Sequence, residues 1–163
     1  MEIAEKLEDR GGVGRANLNL GNAYGNVGQR QEAIELHRKH LDTAVELGDK
    51  AGVGKSYANM GNTYDSIGQY TKAIECHRKD FEIAEELGDR AGVGRARANL
   101  GNAYHNIGRY QKAIEFYRKH LQISRKLGNK GGVGSAFANL GNALLNTKRK
   151  LSSIKNILIL QKN

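Results

Sequence analysis

Asn19–Gly28 reads NLGNAYGNVG, and versions of this stretch return every forty residues along the chain. NMGNTYDSIG begins at Asn59, NLGNAYHNIG at Asn99 and NLGNALLNTK at Asn139. A Gly-Val-Gly run returns at the same interval and begins at Gly12, Gly52, Gly92 and Gly132. A period of this length indicates a solenoid, in which each copy buries its apolar face against its neighbours.

Within one copy, apolar residues recur with the spacing of α-helices. The first set stands at i, i+4, i+8 and i+11 and consists of Ala16, Leu20, Tyr24 and Val27. The second set predicts another helix with one apolar face and consists of Ala33, Ile34, His37, Leu41 and Ala44. Each copy is therefore predicted to be a pair of helices.

Glycines mark the predicted helix ends. Gly28 and Gly48 follow the two apolar sets, and glycine readily adopts the left-handed conformation beyond a helix C-terminus. Asp49 can then cap the next helix by accepting a backbone N–H. This arrangement puts the Gly-Val-Gly run in the first turns of the following helix. We interpret those glycines as sites of close approach between neighbouring backbones.

The segment Gly48–Tyr57, GDKAGVGKSY, superficially resembles a phosphate-binding P-loop. A P-loop requires a glycine five residues before Gly54, and that position is Asp49, whose carboxylate would repel a phosphate. In the related run NKGGVGSA, Ser135 stands where a lysine-first P-loop variant needs its lysine. A loop that recurs four times is better explained as a structural joint, so we expect no specific nucleotide binding.

The forty-residue period also sets the predicted domain boundaries. Residues 1–8 align with the last turns of a second helix whose beginning is missing. Complete copies, numbered repeats 1 to 3, span residues 9–48, 49–88 and 89–128. Residues 129–146 form the first helix of repeat 4. Residues 147–163 diverge from the pattern and are predicted to be a basic capping helix or a tail.

The composition narrows the class of protein. The 163 residues have a mean hydropathy of −0.63, and no apolar run approaches the ~18 residues of a membrane span. Cys76 is the single cysteine, which leaves no disulfide framework and no thiolate zinc site. We therefore expect a cytoplasmic protein with no membrane span.

The charge distribution weakens the case for a nucleic-acid partner. The net charge is +9, but residues 147–163 hold five Lys or Arg and no acid, so the remaining residues carry a net charge of +4. Single-stranded RNA binding also needs exposed aromatic side chains for bases to stack on. The aromatic residues Tyr24, Tyr64 and Tyr104 share one repeat position, which indicates core packing. We expect no nucleic-acid partner.

Histidines at helical spacing suggest a metal site in repeat 1, where His37 and His40 are three residues apart. The matching pairs are His77 with Asp80 and Tyr117 with His120, so no set of ligands recurs. No acid–base pair recurs in an apolar setting either. We expect no metal, no cofactor and no catalytic residues.

The copies resemble the tetratricopeptide repeat. The family's Leu-Gly-x-x-Tyr core is matched in three copies by Leu20-Gly21 with Tyr24, Met60-Gly61 with Tyr64, and Leu100-Gly101 with Tyr104. The alanine of the family pattern is matched by Ala33, Ala73 and Ala113. The resemblance implies an all-α, right-handed superhelical solenoid of antiparallel helix pairs. Copies of forty residues that end in ELGDRAGVGRARANLGNAY also resemble the repeats of the LGN/Pins group of G-protein-signalling modulators.

A polar stripe recurs on each first helix at i, i+4, i+7 and i+11. Its candidate binding residues are Arg15, Asn19, Asn22, Asn26, Lys55, Asn59, Asn62, Arg95, Asn99, Asn102, Asn106, Asn139 and Asn142. Asparagine is a mediocre helix former, but its carboxamide both donates and accepts hydrogen bonds and so can pair with a peptide backbone.

The resemblance implies that this stripe lies in the concave groove, where LGN/Pins arrays take extended, glutamate-bearing segments. It implies a non-catalytic scaffold for a protein or peptide ligand with Glu or Asp side chains. Two alternatives remain. The asparagines can instead form hydrogen bonds between helices of the solenoid. The whole chain can also be a structural segment whose open ends self-associate or stack on other repeats.

Overall fold

The computed structural model describes the backbone of residues 2–160 and the side chains of residues 9–155. The described backbone forms seven α-helices without a strand, which confirms the predicted all-α repeat solenoid. The helices are α1 Glu2–Asn26, α2 Arg30–Glu46, α3 Lys50–Ser66, α4 Tyr70–Glu86, α5 Arg90–Asn106, α6 Tyr110–Lys126 and α7 Lys130–Leu160. Across the described residues, no helix is both long enough and apolar enough to traverse a lipid bilayer.

The chain divides into two compact units, residues 1–96 and residues 97–163, with the division inside α5. In the first unit, α1 packs on α2, α2 packs on α3, and α3 packs on α4. In the second unit, α6 packs on α7, and the part of α5 after the division packs on α6 through Gly101 and Tyr117. Each of these helices contacts its neighbour in the sequence, as a solenoid of helix pairs requires.

Glycine ends six of the helices, as the sequence predicts. A positive φ occurs every twenty residues, at Gly28, Gly48, Gly68, Gly88, Gly108 and Gly128. Among the described residues only glycine has a positive φ, because a Cβ atom penalises the left-handed conformation. Asp49 then caps α3, since its Oδ1 accepts a hydrogen bond of 2.9 Å from the N–H of Gly52. The predicted helix stop followed by a helix start is confirmed.

The apolar face of each second helix forms the core. Ala33, Ile34 and Ala44 of α2 are buried, and so is Ile114 of α6. The apolar face of the first helix is buried in repeats 2 and 3 but open in repeat 1. Leu20 is 49% exposed, whereas its counterparts Met60 and Leu100 are 4% and 2% exposed. The reason is that α3 packs on the helices before and after it, while α1 packs on α2.

Gly14 and Gly54, at the same repeat position of α1 and α3, are packing sites, but their neighbours differ from those predicted. A Cβ atom added to Gly54 would lie 3.1 Å from Cγ2 of Ile83, and one added to Gly14 would lie 3.0 Å from Cγ2 of Thr43. The facing helix therefore approaches with its side chains rather than its backbone.

The two terminal helices run through the boundaries that the repeat phase suggests. α1 continues across residues 8 and 9, and α7 continues across residues 146 and 147. Glu8 and Lys148 stand where Gly88 and Gly108 end helices in other copies. Without glycine at these positions the chain stays helical. Residues 147–155 therefore extend α7, and the remaining side chains of the predicted cap, like those of residues 1–8, lie outside the described residues.

The extended part of α7 passes over the turn between α5 and α6. Leu151 and Ile154 face Tyr110 and Lys112 across a cavity of about 400 Å³. This segment therefore forms one wall of that cavity, although Leu151 and Ile154 remain largely exposed.

We expect Asp49→Ala to lower the free energy of unfolding by about 1 kcal/mol, because it removes the side-chain acceptor of an N-cap. The matched control is Gln69→Ala at the N-cap of α4, whose side chain makes no cap hydrogen bond. The control should stay within about 0.5 kcal/mol of the parent. Urea denaturation checks both, and equal losses would show that the Asp49 hydrogen bond does not stabilise α3.

Candidate functional site

Five stripe residues of the first unit line one cavity of about 430 Å³ between α1 and α3. They are Asn22, Asn26, Asn59, Asn62 and Ser66, which stands at the repeat position of Asn26 in the next copy. The other lining residues are Gly21, Gly25, Arg30, His37 and Thr63. We call this cavity the α1–α3 groove. It forms because the stripe positions of two successive first helices face the same side of the unit.

Two asparagines of the groove hydrogen-bond to each other. Nδ2 of Asn59 donates to Oδ1 of Asn22 at 3.1 Å. This bond uses one N–H of Asn59 and Oδ1 of Asn22. The second N–H of Asn59 and both N–H bonds of Asn22 can still donate, and Oδ1 of Asn59 can still accept. The bond supports the alternative of inter-helix hydrogen bonding, and it also presents donors and acceptors in a fixed orientation.

The second unit repeats this pairing. Nδ2 of Asn139 lies 3.4 Å from Oδ1 of Asn102, which also accepts a bond of 2.9 Å from the hydroxyl of Tyr117. Asn102 is therefore held by its own unit. Asn106 and Asn142 are exposed, and Asn99 is half-buried.

The predicted basic row does not line the groove. Arg15, Lys55 and Arg95 are exposed and lie outside the lining residues, as does Asn19. Nη2 of Arg95 lies 3.6 Å from Oδ2 of Asp89, so an acidic neighbour already offsets its charge. The structure therefore brings together the asparagines of the first unit without these cations.

Arg30 supplies the positive charge of the groove instead. It begins α2 and is the one charged side chain among the lining residues described above. Gly25, which aligns with Asp65 and His105 in the next copies, lies beside it, since a Cβ atom there would be in ordinary contact at 3.9 Å from Nη1 of Arg30.

Recurrence could not reveal Arg30, because its counterparts are Tyr70 and Tyr110. A comparison of the copies for differences could have found it, because repeat 1 differs from repeats 2 and 3 at both position 25 and position 30.

His37 forms the floor of the groove and is uncharged at neutral pH. Its ring is 2% exposed, and its Nδ1 has no hydrogen-bond partner. Burial, helped by the charge of nearby His40, lowers the pKa of His37 to about 4. The ring reaches the groove because Gly21 has no side chain, and a Cβ atom there would lie 2.7 Å from Cε1 of His37.

A second cavity of the first unit, of about 580 Å³, lies between α2 and α4 above Tyr57 and Met60. Its lining mixes the cations Arg38, Lys72 and Lys79 with the acids Asp42 and Glu75. Cys76 also lines it, and burial together with Glu75 raises the pKa of this thiol to about 11. A thiol of that pKa is a poor nucleophile, and the mixed charges favour neither sign of ligand.

Two of the three recurring tyrosines belong to the core, as the sequence indicates, whereas Tyr24 of repeat 1 is half-buried. Tyr64 and Tyr104 are 7% and 3% exposed, and Lys72 and Lys112 lie over their rings at 5.4 and 4.6 Å. Within residues 9–155, no three side chains of His, Cys, Asp or Glu gather as a metal site would require.

Comparisons with known proteins identify the repeats. The family model described as "Tetratricopeptide repeat" matches residues 12–86, 67–126 and 92–154. The tetratricopeptide repeat domain of Arabidopsis FLU is similar with a TM-score of 0.69 and 20% identity, over 72% of this chain and 98% of that one. BtubC from P. vanneervenii is similar with a TM-score of 0.76 and 18% identity, over 92% of this chain and 65% of that one.

A signal transduction ATPase with a tetratricopeptide repeat sensor, from Pyrococcus horikoshii, has a TM-score of 0.75 and 20% identity. The match covers 83% of this chain and 21% of that one. No curated protein sequence matches the chain. At these identities the structural likeness extends to the fold alone.

Proposed function

Because the chain belongs to the tetratricopeptide repeat family, whose repeats generally mediate protein–protein interaction, we propose that it is a non-catalytic scaffold that binds an extended acidic peptide in the α1–α3 groove. The observation that carries the proposal is the lining of this groove. Four carboxamides surround a single cation, Arg30, and no acid is among the lining residues.

The charge of the groove favours a carboxylate ligand. His37 is neutral at physiological pH, so Arg30 alone sets the sign of the local charge. A hydrogen bond between a guanidinium and a carboxylate contributes roughly 1.5–3 kcal/mol, about twice the value for neutral groups. A glutamate or aspartate side chain is therefore the favoured partner of Arg30.

The carboxamides favour an extended backbone. An extended peptide presents N–H and C=O groups alternately, and Asn22 and Asn59 offer donors and an acceptor side by side. A volume of about 430 Å³ holds one side chain with its flanking backbone rather than a whole peptide. Longer peptides would continue along the exposed stripe residues Asn19 and Lys55.

The narrower resemblance to the LGN/Pins group agrees with this proposal but does not carry it, since the compared structures offer no support for that group. A cytoplasmic location belongs to the same proposal. It is supported by the charged composition and by the presence of a single cysteine, which cannot form a disulfide within the chain.

We expect Arg30→Gln to weaken an acidic peptide at least about tenfold, which corresponds to about 1.4 kcal/mol. The peptide would be selected from a phage library of random dodecapeptides and measured by calorimetry. Lys39→Gln is the matched control, because it removes the same charge from the exposed face of α2, outside the groove. The control should bind normally.

Replacing the peptide's central Glu with Gln should abolish the difference in peptide affinity between the parent and Arg30→Gln. Selected peptides without acidic residues would contradict the proposal. So would equal losses in the two protein variants, because such losses would reflect net charge rather than a contact of Arg30.

A further inference from the structure

The outer face of α7 carries apolar side chains that no described helix covers. Phe137, Leu144 and Leu145 are 52%, 52% and 48% exposed. Gly134 and Gly141 lie on the same side, and a Cβ atom added to either would meet nothing within 4 Å. We call these five residues the open face of α7. Its two glycines flank Phe137, so the face has hollows beside a protruding ring.

The corresponding faces of earlier copies are covered by second helices. A Cβ atom at Gly61 would overlap the ring of His77, and one at Gly101 would overlap the ring of Tyr117. Gly54, the counterpart of Gly134, is covered by Ile83 of α4. The hollows of α7 therefore have the shape that accepts a second helix elsewhere in this chain.

The described chain does not supply a helix for this face. In other copies a glycine with positive φ turns the chain back, but Lys148 occupies that position in the last copy. As a result, α7 runs straight on to Leu160 instead of folding back over Gly141.

The charges around the open face indicate what kind of helix fits. At the start of α3, Lys50 forms an ion pair of 3.0 Å with Glu86 of α4, and Arg10 forms one of 2.8 Å with Glu46 of α2. Lys130 stands at the same repeat position. The guanidinium of Arg125 also lies 5.4 Å over the ring of Phe137.

No negative charge near the face offsets these cations in the sequence. The 48 residues from Phe116 to the end contain ten Lys or Arg and no Asp or Glu. A second copy of α7 would bring the same cations against each other, so like-charge repulsion disfavours self-pairing through this face. An acidic surface is complementary to it.

We propose that the open face of α7 docks an acidic amphipathic helix of a partner protein, in the position that α4 takes on α3. A ring of the partner fills the hollow at Gly141, a branched aliphatic side chain covers Gly134, and a glutamate near the C-terminus of the helix pairs with Lys130. This surface is separate from the α1–α3 groove and does not depend on peptide binding there.

The chain itself provides a matched pair of probes. A peptide with the sequence of α4 contains five acidic and three basic residues, whereas one with the sequence of α6 contains one acidic and five basic residues. Both have the apolar pattern of a second helix. The α4 peptide would carry Leu in place of Cys76, as α2 has Leu36 at that position.

Fluorescence anisotropy of the labelled peptides with the full chain tests the proposal. We expect the α4 peptide to bind at least about tenfold more tightly than the α6 peptide at low ionic strength, and added salt to narrow the gap. Gly141→Leu should weaken the α4 peptide at least about tenfold by filling the hollow. Because nothing lies near that position, the variant should keep the parent's helical circular dichroism.

Any of the following outcomes would overturn the proposal. The α4 peptide could fail to bind, or bind with unchanged affinity to Gly141→Leu. The two peptides could bind equally, which would remove the role of charge. Light scattering could instead show self-association that Gly141→Leu abolishes, in which case a second copy covers the face. Binding of anionic phosphatidylserine vesicles that is lost in the same variant would assign the face to a membrane surface.

Discussion

Gly101→Ala is expected to lower the free energy of unfolding by about 2 kcal/mol, although alanine is the better helix former by about 1 kcal/mol. The added methyl group would overlap the ring of Tyr117, which is 2% exposed. The ring cannot swing aside without breaking the bond of 2.9 Å from its hydroxyl to Asn102. Overpacking of this kind costs roughly 1–3 kcal/mol and occasionally more.

Gly141→Ala is the matched control, because it changes the same repeat position where no neighbour lies within 4 Å. It should raise the free energy of unfolding by about 1 kcal/mol through helix propensity alone. Denaturant unfolding should therefore separate the two variants by about 3 kcal/mol. Equal effects of the two substitutions would mean that a ring covering the glycine does not determine the packing of each copy.

His37→Tyr is expected to make the protein more resistant to acid by up to about 3 kcal/mol at pH 4. Tyr117 occupies the same repeat position, so a tyrosine ring fits this kind of site over a glycine. Near pH 7 the parent and the variant should differ little, because His37 is uncharged and buried.

The sign of the pH effect follows from the pKa of His37, which burial lowers from 6.5 to about 4 in the folded protein. The unfolded chain binds the proton more readily, so the stability due to neutral His37 is complete above pH 6.5. It is lost as the pH falls toward 4, and a shift of this size corresponds to about 3 kcal/mol. Burial lowers the pKa of His40 and His120 as well, which adds to the loss.

Asp80 acts in the opposite direction. Burial raises the pKa of its carboxyl group to about 6, against the lowering effects of His77 and Arg95. Its contribution to stability is therefore present at low pH and lost as the pH rises through 6. Asp80 therefore offsets part of the stability that the parent loses at low pH through its buried histidines.

Subtracting the free energy of unfolding of the parent from that of His37→Tyr cancels the contribution of Asp80, because both proteins contain this residue. The free energies of unfolding would be measured for both proteins from pH 7 to pH 4. A difference that stays constant over this range would contradict the assigned burial of His37.

The sequence predicted the helix pairs because one local signal recurs. A glycine with left-handed conformation every twenty residues ends the helices, and apolar residues at helical spacing define the buried faces. The ends of α1 and α7 were harder to predict from the period. The forty-residue period predicts a boundary near residues 8 and 147. A helix ends there only if the residue is a glycine that adopts a positive φ. Glu8 and Lys148 stand at these positions instead, so α1 and α7 continue.

The candidate groove was predicted in part for a similar reason. The recurrent asparagines Asn22 and Asn59 do line the α1–α3 groove and contact each other. The recurrent cations Arg15, Lys55 and Arg95 do not. Comparing the copies for shared residues finds only what recurs. The charge of this groove comes from Arg30, which occurs in repeat 1 alone.

The most direct measurement of peptide binding is an NMR titration of the ¹⁵N-labelled chain with the acidic peptide selected as above. Side-chain amide signals report the carboxamides themselves. We expect the amide signals of Asn22, Asn26, Asn59 and Asn62 and the Nε–H signal of Arg30 to shift together. A peptide with Gln in place of its central Glu should leave Arg30 unshifted. Shifts confined to the cavity between α2 and α4, around Tyr57 and Cys76, would contradict the proposed groove.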